Sequence, residues 1–110
     1  MESFKVSSRI WKTKGKGGWY FVTFSKAKTS EIKKLYLKHM EGWGRLKVIA
    51  SSANVTWNTS IWYDSKAGRY LLPIKAEIRK KLRVSEGDRI SIEISVDADE
   101  VSQAFDQLDF

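Results

Sequence analysis

The chain has 110 residues, 42 % apolar and 30 % charged, which is enough for one folded domain and too apolar for a disordered chain. It lacks cysteine and any apolar run near the roughly 18 residues of a spanning helix, which argues against disulfide scaffolds and membrane segments and predicts a cytoplasmic protein. The net charge of +7 is uneven, since residues 97–110 hold five acids and no base, while residues 1–96 hold all 20 bases and the other eight acids. A body of net charge +12 suits a polyanion, because basic side chains release the counterions condensed on phosphates.

The first two predicted strands form a hairpin. Apolar residues alternate with polar ones from Phe4 to Ile10, which is the period of a half-buried strand. Glycine and lysine dominate residues 13–18, as is typical of a turn. Residues 19–24 are aromatic and β-branched on both faces, so we expect them to form a central strand.

The next predicted element is a helix that Thr29 or Ser30 caps and Gly42 ends. Five residues at helical spacing form a stripe that would face the core: Ile32, Leu35, Tyr36, His39 and Met40. On such a stripe, the single histidine of the chain is more typical of core packing than of a catalytic base.

Three strand-like runs follow, at 46–50, 55–62 and 70–72, and each shows an alternation of apolar and polar residues or a short apolar core. Pro73 then opens a short second helix. Its apolar and basic residues lie on separate faces: Ile74, Ile78 and Leu82 on one, and Lys75, Arg79 and Arg83 on the other.

Alternation from Ile90 to Val96 predicts the last strand. Six strands with two short helices and no βαβ rhythm predict a mainly β fold, a small closed or double-split β-barrel over residues 1–96. Residues 97–110 form an acidic C-terminal tail, either a short helix or a loose segment, and we expect this tail to contact the basic body.

Four short motifs occur in order along the second half of the chain: Gly42-Trp43-Gly44, Thr56-Trp57-Asn58-Thr59-Ser60, Leu72-Pro73-Ile74-Lys75 and Glu86-Gly87-Asp88-Arg89. In this order the chain resembles the domain of unknown function 1905 family. The resemblance implies a double-split barrel similar to the swapped-hairpin antitoxin and transition-state-regulator DNA-binding domains. The family has no established activity, so the resemblance implies none for this chain. Those regulators are obligate dimers that share one barrel, whereas this chain has enough strands for a barrel of its own. Monomer and homodimer therefore both stay open.

The first candidate site is basic with interleaved aromatic side chains. Lys5, Arg9 and Trp11 share an outer row of the first strand, and Arg45 and Lys47 share one on the third. Exposed aromatic rings between cations are typical of stacking platforms for single-stranded nucleic acid, although solvated strand faces look the same in sequence. The second helix adds a basic row that suits a phosphate backbone: Lys75, Arg79 and Lys80.

The alternative candidate site is an aromatic pocket for a flat or sugar-like ligand, formed by Trp43, Trp57, Thr59 and Trp62. Trp57 and Thr59 alternate inward, so core packing explains them as well. Trp43 lies between glycines, and Trp62 lies on the polar face of its strand, so these two are the better candidates for ligand contact.

Catalysis and metal binding have little support, because the chain has one histidine and no carboxylates at ligand spacing. We therefore predict no catalytic residue, no metal and no cofactor. The predicted function is a non-catalytic binding module for a polyanion, foremost nucleic acid. The alternative is a small-ligand or protein-interaction barrel, whose binding would respond little to salt.

Overall fold

The computed structural model describes residues 3–15, 17–36 and 44–96. These residues form seven strands and two helices: β1 (Ser3–Arg9), β2 (Trp11–Lys12), β3 (Tyr20–Thr23), α1 (Lys26–Tyr36), β4 (Arg45–Ser52), β5 (Val55–Asp64), β6 (Arg69–Pro73), α2 (Ala76–Leu82) and β7 (Arg89–Ser95). The predictions made for the acidic tail and for a few further residues lie outside the described residues: His39, Met40, Gly42 and Trp43.

The seven strands form one antiparallel sheet in the order β1-β7-β4-β5-β6-β3-β2. The two end strands, β1 and β2, are consecutive in the chain and separated by Ile10 alone. The chain bends there, so that β1 pairs with β7 and β2 pairs with β3, and the sheet curls into a half-barrel. The mainly β fold with two helices is confirmed. A closed barrel of six strands is not confirmed, because the sheet has seven strands in an order that begins with β1 and ends with β2. The seventh strand arises because the bend divides the first predicted strand into two.

The bend is held by backbone hydrogen bonds. The Ile10 N–H donates to the carbonyl oxygen of Asp88 at 2.9 Å, and the Gly87 N–H donates to the carbonyl oxygen of Ile10 at 2.8 Å. The Ile10 side chain is 1 % exposed, so both the backbone and the side chain tie this point to the rest of the molecule.

The core lies on the inner face of the curled sheet. Strand alternation turns every second side chain inward, and the registers set these side chains opposite one another, as in the pairs Phe4 with Ile94 and Val6 with Ile92. Helix α1 covers this face through buried residues, among which Tyr36 packs edge-on against Phe4 at a ring distance of 6.3 Å.

Helix α1 begins earlier than predicted. Ser25 is its cap, because Ser25 Oγ accepts a hydrogen bond from the Lys28 N–H at 3.0 Å. The predicted cap Thr29 is instead buried within the helix, and its Oγ1 accepts the Tyr70 N–H at 3.1 Å. The prediction that Leu35 lies in the core was wrong, since it is 53 % exposed. The buried face runs through Thr29, Ile32 and Tyr36, and Leu35 lies beside it.

Helix α2 is shorter than predicted at both ends. Pro73 belongs to β6, and the helix begins at Ala76. Arg83 caps the C-terminal end with a φ of 57°, and the Arg83 and Val84 N–H groups donate to carbonyls of the last turn. The prediction that Arg83 continues the basic helix face was therefore wrong, because a left-handed residue ends the helical periodicity.

The turn between β4 and β5 stores backbone strain that glycine would relieve. Ser52 pairs with Val55, which leaves Ala53 and Asn54 as a two-residue turn in which Ala53 has a φ of 52°. We expect Ala53→Gly to raise the free energy of unfolding by about 0.5–1 kcal/mol. Glycine removes the steric cost that alanine has in the left-handed region, and this gain exceeds the entropy that glycine adds to the unfolded chain. Urea denaturation measures this. Ala50→Gly, at a buried strand position, is the control and should lower stability, and equal losses in both variants would contradict the account.

Alkaline pH should destabilise the fold through Tyr70. Burial, with a smaller contribution from Tyr63, raises the pKa of Tyr70 from 10.0 to about 12. Because the folded state favours the neutral phenol, the raised pKa contributes to the free energy of unfolding. This contribution of Tyr70 is complete below pH 10 and is lost as the pH rises towards 12. Urea midpoints between pH 9 and 12 should therefore fall less steeply for Tyr70→Phe than for the wild type, and parallel curves would exclude this role for the Tyr70 phenol.

Candidate functional site

A row of neighbouring side chains crosses four strands on the outer face of the sheet. Trp62 on β5 lies opposite Leu71 on β6, and Leu71 lies opposite Thr23 on β3. Trp11 on β2 extends the row, because its Nε1–H donates to Thr23 Oγ1 at 2.7 Å. This half of the outer face is therefore largely apolar, although it is not covered by either helix.

Three tryptophans on this face are exposed, with exposed fractions of 38 % for Trp11, 62 % for Trp19 and 40 % for Trp62. Phe21 lies between two of them. Its ring centroid is 5.2 Å from that of Trp11 and 6.4 Å from that of Trp19, and the Trp19 and Phe21 planes differ by 14°. Exposed aromatic surface gathered on one face is typical of a binding surface, whereas isolated exposed residues are common on any protein.

A groove of about 470 Å³ crosses the same face over β4, β5 and the end of β6. We call it the tryptophan groove, and its lining combines two tryptophans, a proline, three polar residues, two aliphatic residues and two lysines: Trp19, Trp62, Pro73, Asn58, Thr59, Ser60, Val48, Ile49, Lys47 and Lys75. No acidic residue lines it among the residues that the structure describes. The groove therefore offers aromatic faces, hydrogen-bonding groups and positive charge to one ligand.

The sheet registers explain this lining. Lys47 lies opposite Ser60 across β4 and β5, and Phe21 lies opposite Pro73 across β3 and β6. Outward positions alternate along each strand, so that Ser60 and Trp62 project from the same face of β5. The β4–β5 hairpin and the long-range pairing of β3 with β6 thus build the site together.

Cations lie over aromatic rings at the edges of this surface. The Arg45 guanidinium carbon lies 5.5 Å from the ring centroid of Trp62. The Arg79 guanidinium carbon lies 3.5 Å from the ring centroid of Tyr20, and Lys12 Nζ lies 5.5 Å from the same centroid. Such contacts hold positive charge beside the aromatic surface and contribute about 0.5–1 kcal/mol each at exposed sites.

A smaller groove of about 180 Å³ adjoins the first and shares Trp19, Pro73 and Lys75 with it. We call it the Arg79 groove, after the arginine that lines its far side. Arg79 Nε is buried and has no hydrogen-bond partner in the described part of the chain. A buried donor without a partner costs about 1–3 kcal/mol, so the fold holds this guanidinium in place without satisfying its Nε–H group.

The structure merges residues from the two predicted sites. Lys47 and Lys75, predicted for nucleic acid, line the same groove as Thr59 and Trp62, predicted for a small ligand. From the nucleic-acid set, Arg45 and Trp11 also border this surface, and Arg79 lies in the adjoining groove.

Other predicted site residues lie elsewhere. Lys5 lies opposite Glu93, on the serine-rich outer half of the sheet formed by β1 and β7. Arg9 Nη1 donates to the carbonyl oxygen of Gly87 at 2.9 Å, and Lys80 is exposed on α2 outside the lining of both grooves. Trp57 is half-buried and packs against the core, as its alternation predicted.

Several residues of this surface were not predicted from the sequence, chiefly Trp19, Phe21, Asn58 and Pro73. Residues 19–24 carry aromatic and β-branched residues on both faces and predict a central strand, whereas Trp19 is the most exposed of the large apolar residues that the structure describes. The predicted hairpin of the first two strands could have indicated this aromatic face. A register that places Trp11 opposite Phe21 turns both rings to the same face of the sheet.

The described residues offer neither a membrane-spanning helix nor a metal site. Neither of the described helices combines the length and the hydropathy that crossing a membrane requires. Within residues 3–15, 17–36 and 44–96, no three His, Cys, Asp or Glu side chains are grouped so that they could hold a metal ion.

Comparison with known proteins gives a family. Residues 7–94 match the model of the family described as Domain of unknown function (DUF1905). The chain belongs to the DUF1905 family. The resemblance predicted from the motifs is thus confirmed, and the matched range contains the described lining of both grooves. No curated protein matches the chain.

Proposed function

We propose that this protein is a non-catalytic module that binds single-stranded nucleic acid through the tryptophan groove and the neighbouring aromatic rings. One observation carries the proposal: Trp11, Trp19 and Trp62 are exposed on a single face of the sheet, with Lys47 and Lys75 between and beside them. Every nucleobase has a π face, so indole rings can stack on bases of any sequence, and lysines can pair with the phosphates.

The exposed rings favour a single strand over a duplex. In a duplex the base faces are stacked on one another, and a protein reaches only the base edges and the backbone. Trp62 and Trp11 lie on β5 and β2, with β6 and β3 between them, so their strands are about 14 Å apart at the usual strand spacing. Rings at that separation can each take a base of an extended, unpaired strand.

The charge distribution supports a polyanion. Lys47 and Lys75 line the groove, and the guanidinium groups of Arg45 and Arg79 lie over aromatic rings at its borders. A nucleic-acid partner accords with the expected cytoplasmic location. A double-split barrel similar to the swapped-hairpin DNA-binding domains, which the family resemblance implies, would also suit nucleic acid, and both a monomer and a homodimer are compatible with this proposal.

A second candidate function is the binding of a small planar ligand. It is favoured by the size of the tryptophan groove, about 470 Å³, which falls in the range of roughly 300–1,000 Å³ usual for ligand pockets. Asn58 and Ser60 would then fix the orientation of the ligand by hydrogen bonds. Binding of an uncharged ligand of this kind would respond little to salt.

The test is a titration of tryptophan fluorescence with oligothymidylate and with a duplex of equal length, at about 50 mM and about 200 mM salt. We expect saturable quenching by the single strand at micromolar concentrations, weakened strongly at the higher salt. Trp19→Ala and Trp62→Ala should each weaken binding by about 5- to 160-fold, since stacking contributes roughly 1–3 kcal/mol per base.

Two control variants locate the effect. Trp57→Phe changes a half-buried core-packed tryptophan, and Lys34→Glu changes an exposed lysine of α1, which packs on the opposite, inner side of the sheet. Both should bind as the wild type does. Absence of saturable binding, or equal losses in controls and groove variants, would contradict the proposal. Salt-independent binding of an uncharged aromatic compound alone would favour the small-ligand function.

A further inference from the structure

Arg79 is held in place by packing and has no polar partner of its own in the described chain. Its guanidinium carbon lies 3.5 Å from the Tyr20 ring centroid, so the planar group is stacked on the aromatic face. Its Nε is buried without a hydrogen-bond partner, and no ion pair joins it to any described residue. The side chain is therefore oriented in advance, while its donors are not used within the described part of the molecule.

An arginine in this state is suited to a phosphate group. The guanidinium presents a rigid fork of N–H donors that matches two oxygens of a phosphate, and stacking on a ring leaves the edges of the plane for such contacts. The Arg79 groove, at about 180 Å³, is smaller than the usual pocket for a whole organic ligand, which favours a compact anion.

The neighbours of Arg79 add charge and connect it to the stacking surface. Lys75 lines both grooves, and Lys12 Nζ lies 5.5 Å from the Tyr20 ring on which Arg79 stacks. Trp19 also lines both grooves, so a base stacked on its indole would have its phosphate within reach of the arginine. No acidic side chain is among the described residues that line the Arg79 groove.

We propose that the Arg79 groove binds one phosphate group, with the guanidinium of Arg79 as its fork and Lys75 as a second cation, beside the base that stacks on Trp19. This inference rests on the proposed function for the origin of that phosphate, which is the nucleic-acid backbone. It assigns Tyr20 as the positioning residue that keeps the guanidinium plane fixed.

The first test is the salt dependence of oligothymidylate binding. In Arg79→Gln, loss of one phosphate contact should make the fall of log K with log salt less steep, by about 0.7 in the slope. Arg79→Lys, which keeps the charge and loses the fork, should restore the slope and still bind about fivefold more weakly. Lys80→Gln is the matched control, since Lys80 lies on the same helix outside the lining of both grooves, and it should keep the wild-type slope.

The positioning role of Tyr20 has its own pair of variants. Tyr20→Phe keeps the ring and should bind as the wild type does. Tyr20→Leu removes the ring and, like Arg79→Lys, should keep the wild-type salt slope and bind oligothymidylate about fivefold more weakly. Equal affinity of Tyr20→Leu and Tyr20→Phe would exclude the positioning role.

The second test does not depend on oligonucleotide binding. The Arg79 Nε–Hε signal of the wild-type protein, assigned by its loss in Arg79→Gln, should shift and saturate in NMR titrations with inorganic phosphate and with thymidine 5′-monophosphate. A single strand that binds while the Arg79→Gln slope and the Arg79 signal stay unchanged would overturn the phosphate site and leave the proposed function standing. A signal that shifts with phosphate, in a protein that binds no single strand, would support the phosphate site and overturn the proposed function.

Discussion

The architecture depends on the bend of the chain at Ile10. The backbone of this residue is bonded to Gly87 and Asp88, and its side chain is almost fully buried. The bend lets one continuous segment serve both ends of the sheet, with β1 on β7 and β2 on β3. A chain of this size thereby curls a seven-stranded sheet around a core without exposing two long unpaired edges.

The same bend separates the outer face into two chemically different halves. On β1 and β7 the outward residues are serines and charged groups, with Lys5 facing Glu93 and Arg9 facing Arg89, whereas the half from β5 to β2 gathers the tryptophans. Trp11 belongs to the second half because the chain has already turned when it reaches that residue. The contrast argues that the aromatic half is a specialised surface, since apolar surface of this kind is costly to expose to water.

Strand positions were predictable because alternation is a local signal. The runs at 46–50, 55–62 and 90–96 correspond to β4, β5 and β7, where one face is buried and the other is wet. The outer face of β3 was not predictable in the same way, because Tyr20 to Phe24 carries apolar residues on both faces and offers no period. The start of α1 was missed because Ser25 and Thr29 are both acceptable caps, and packing against Tyr70 decides between them.

The candidate site could be predicted only as separate pieces. Trp62, Lys47 and Lys75 each appeared as candidates, but they were assigned to competing functions. Their meeting depends on the β4–β5 hairpin and on the pairing of β6 with β3, which joins segments distant in sequence. Propensity and periodicity carry no information on such pairings, whereas burial of Trp57 was foreseeable from alternation alone.

The central claim is that this DUF1905 protein binds its ligand on one face of the sheet, at the tryptophan groove and the neighbouring aromatic rings. The most direct measurement is a map of backbone and indole NMR shifts as oligothymidylate is added to the full chain. The account predicts that the largest shifts fall on the Trp19 and Trp62 indoles and the backbone of Ser60 and Lys75, with the Trp57 indole unmoved. Shifts centred on the serine-rich face of β1 and β7, or on α1, would contradict it.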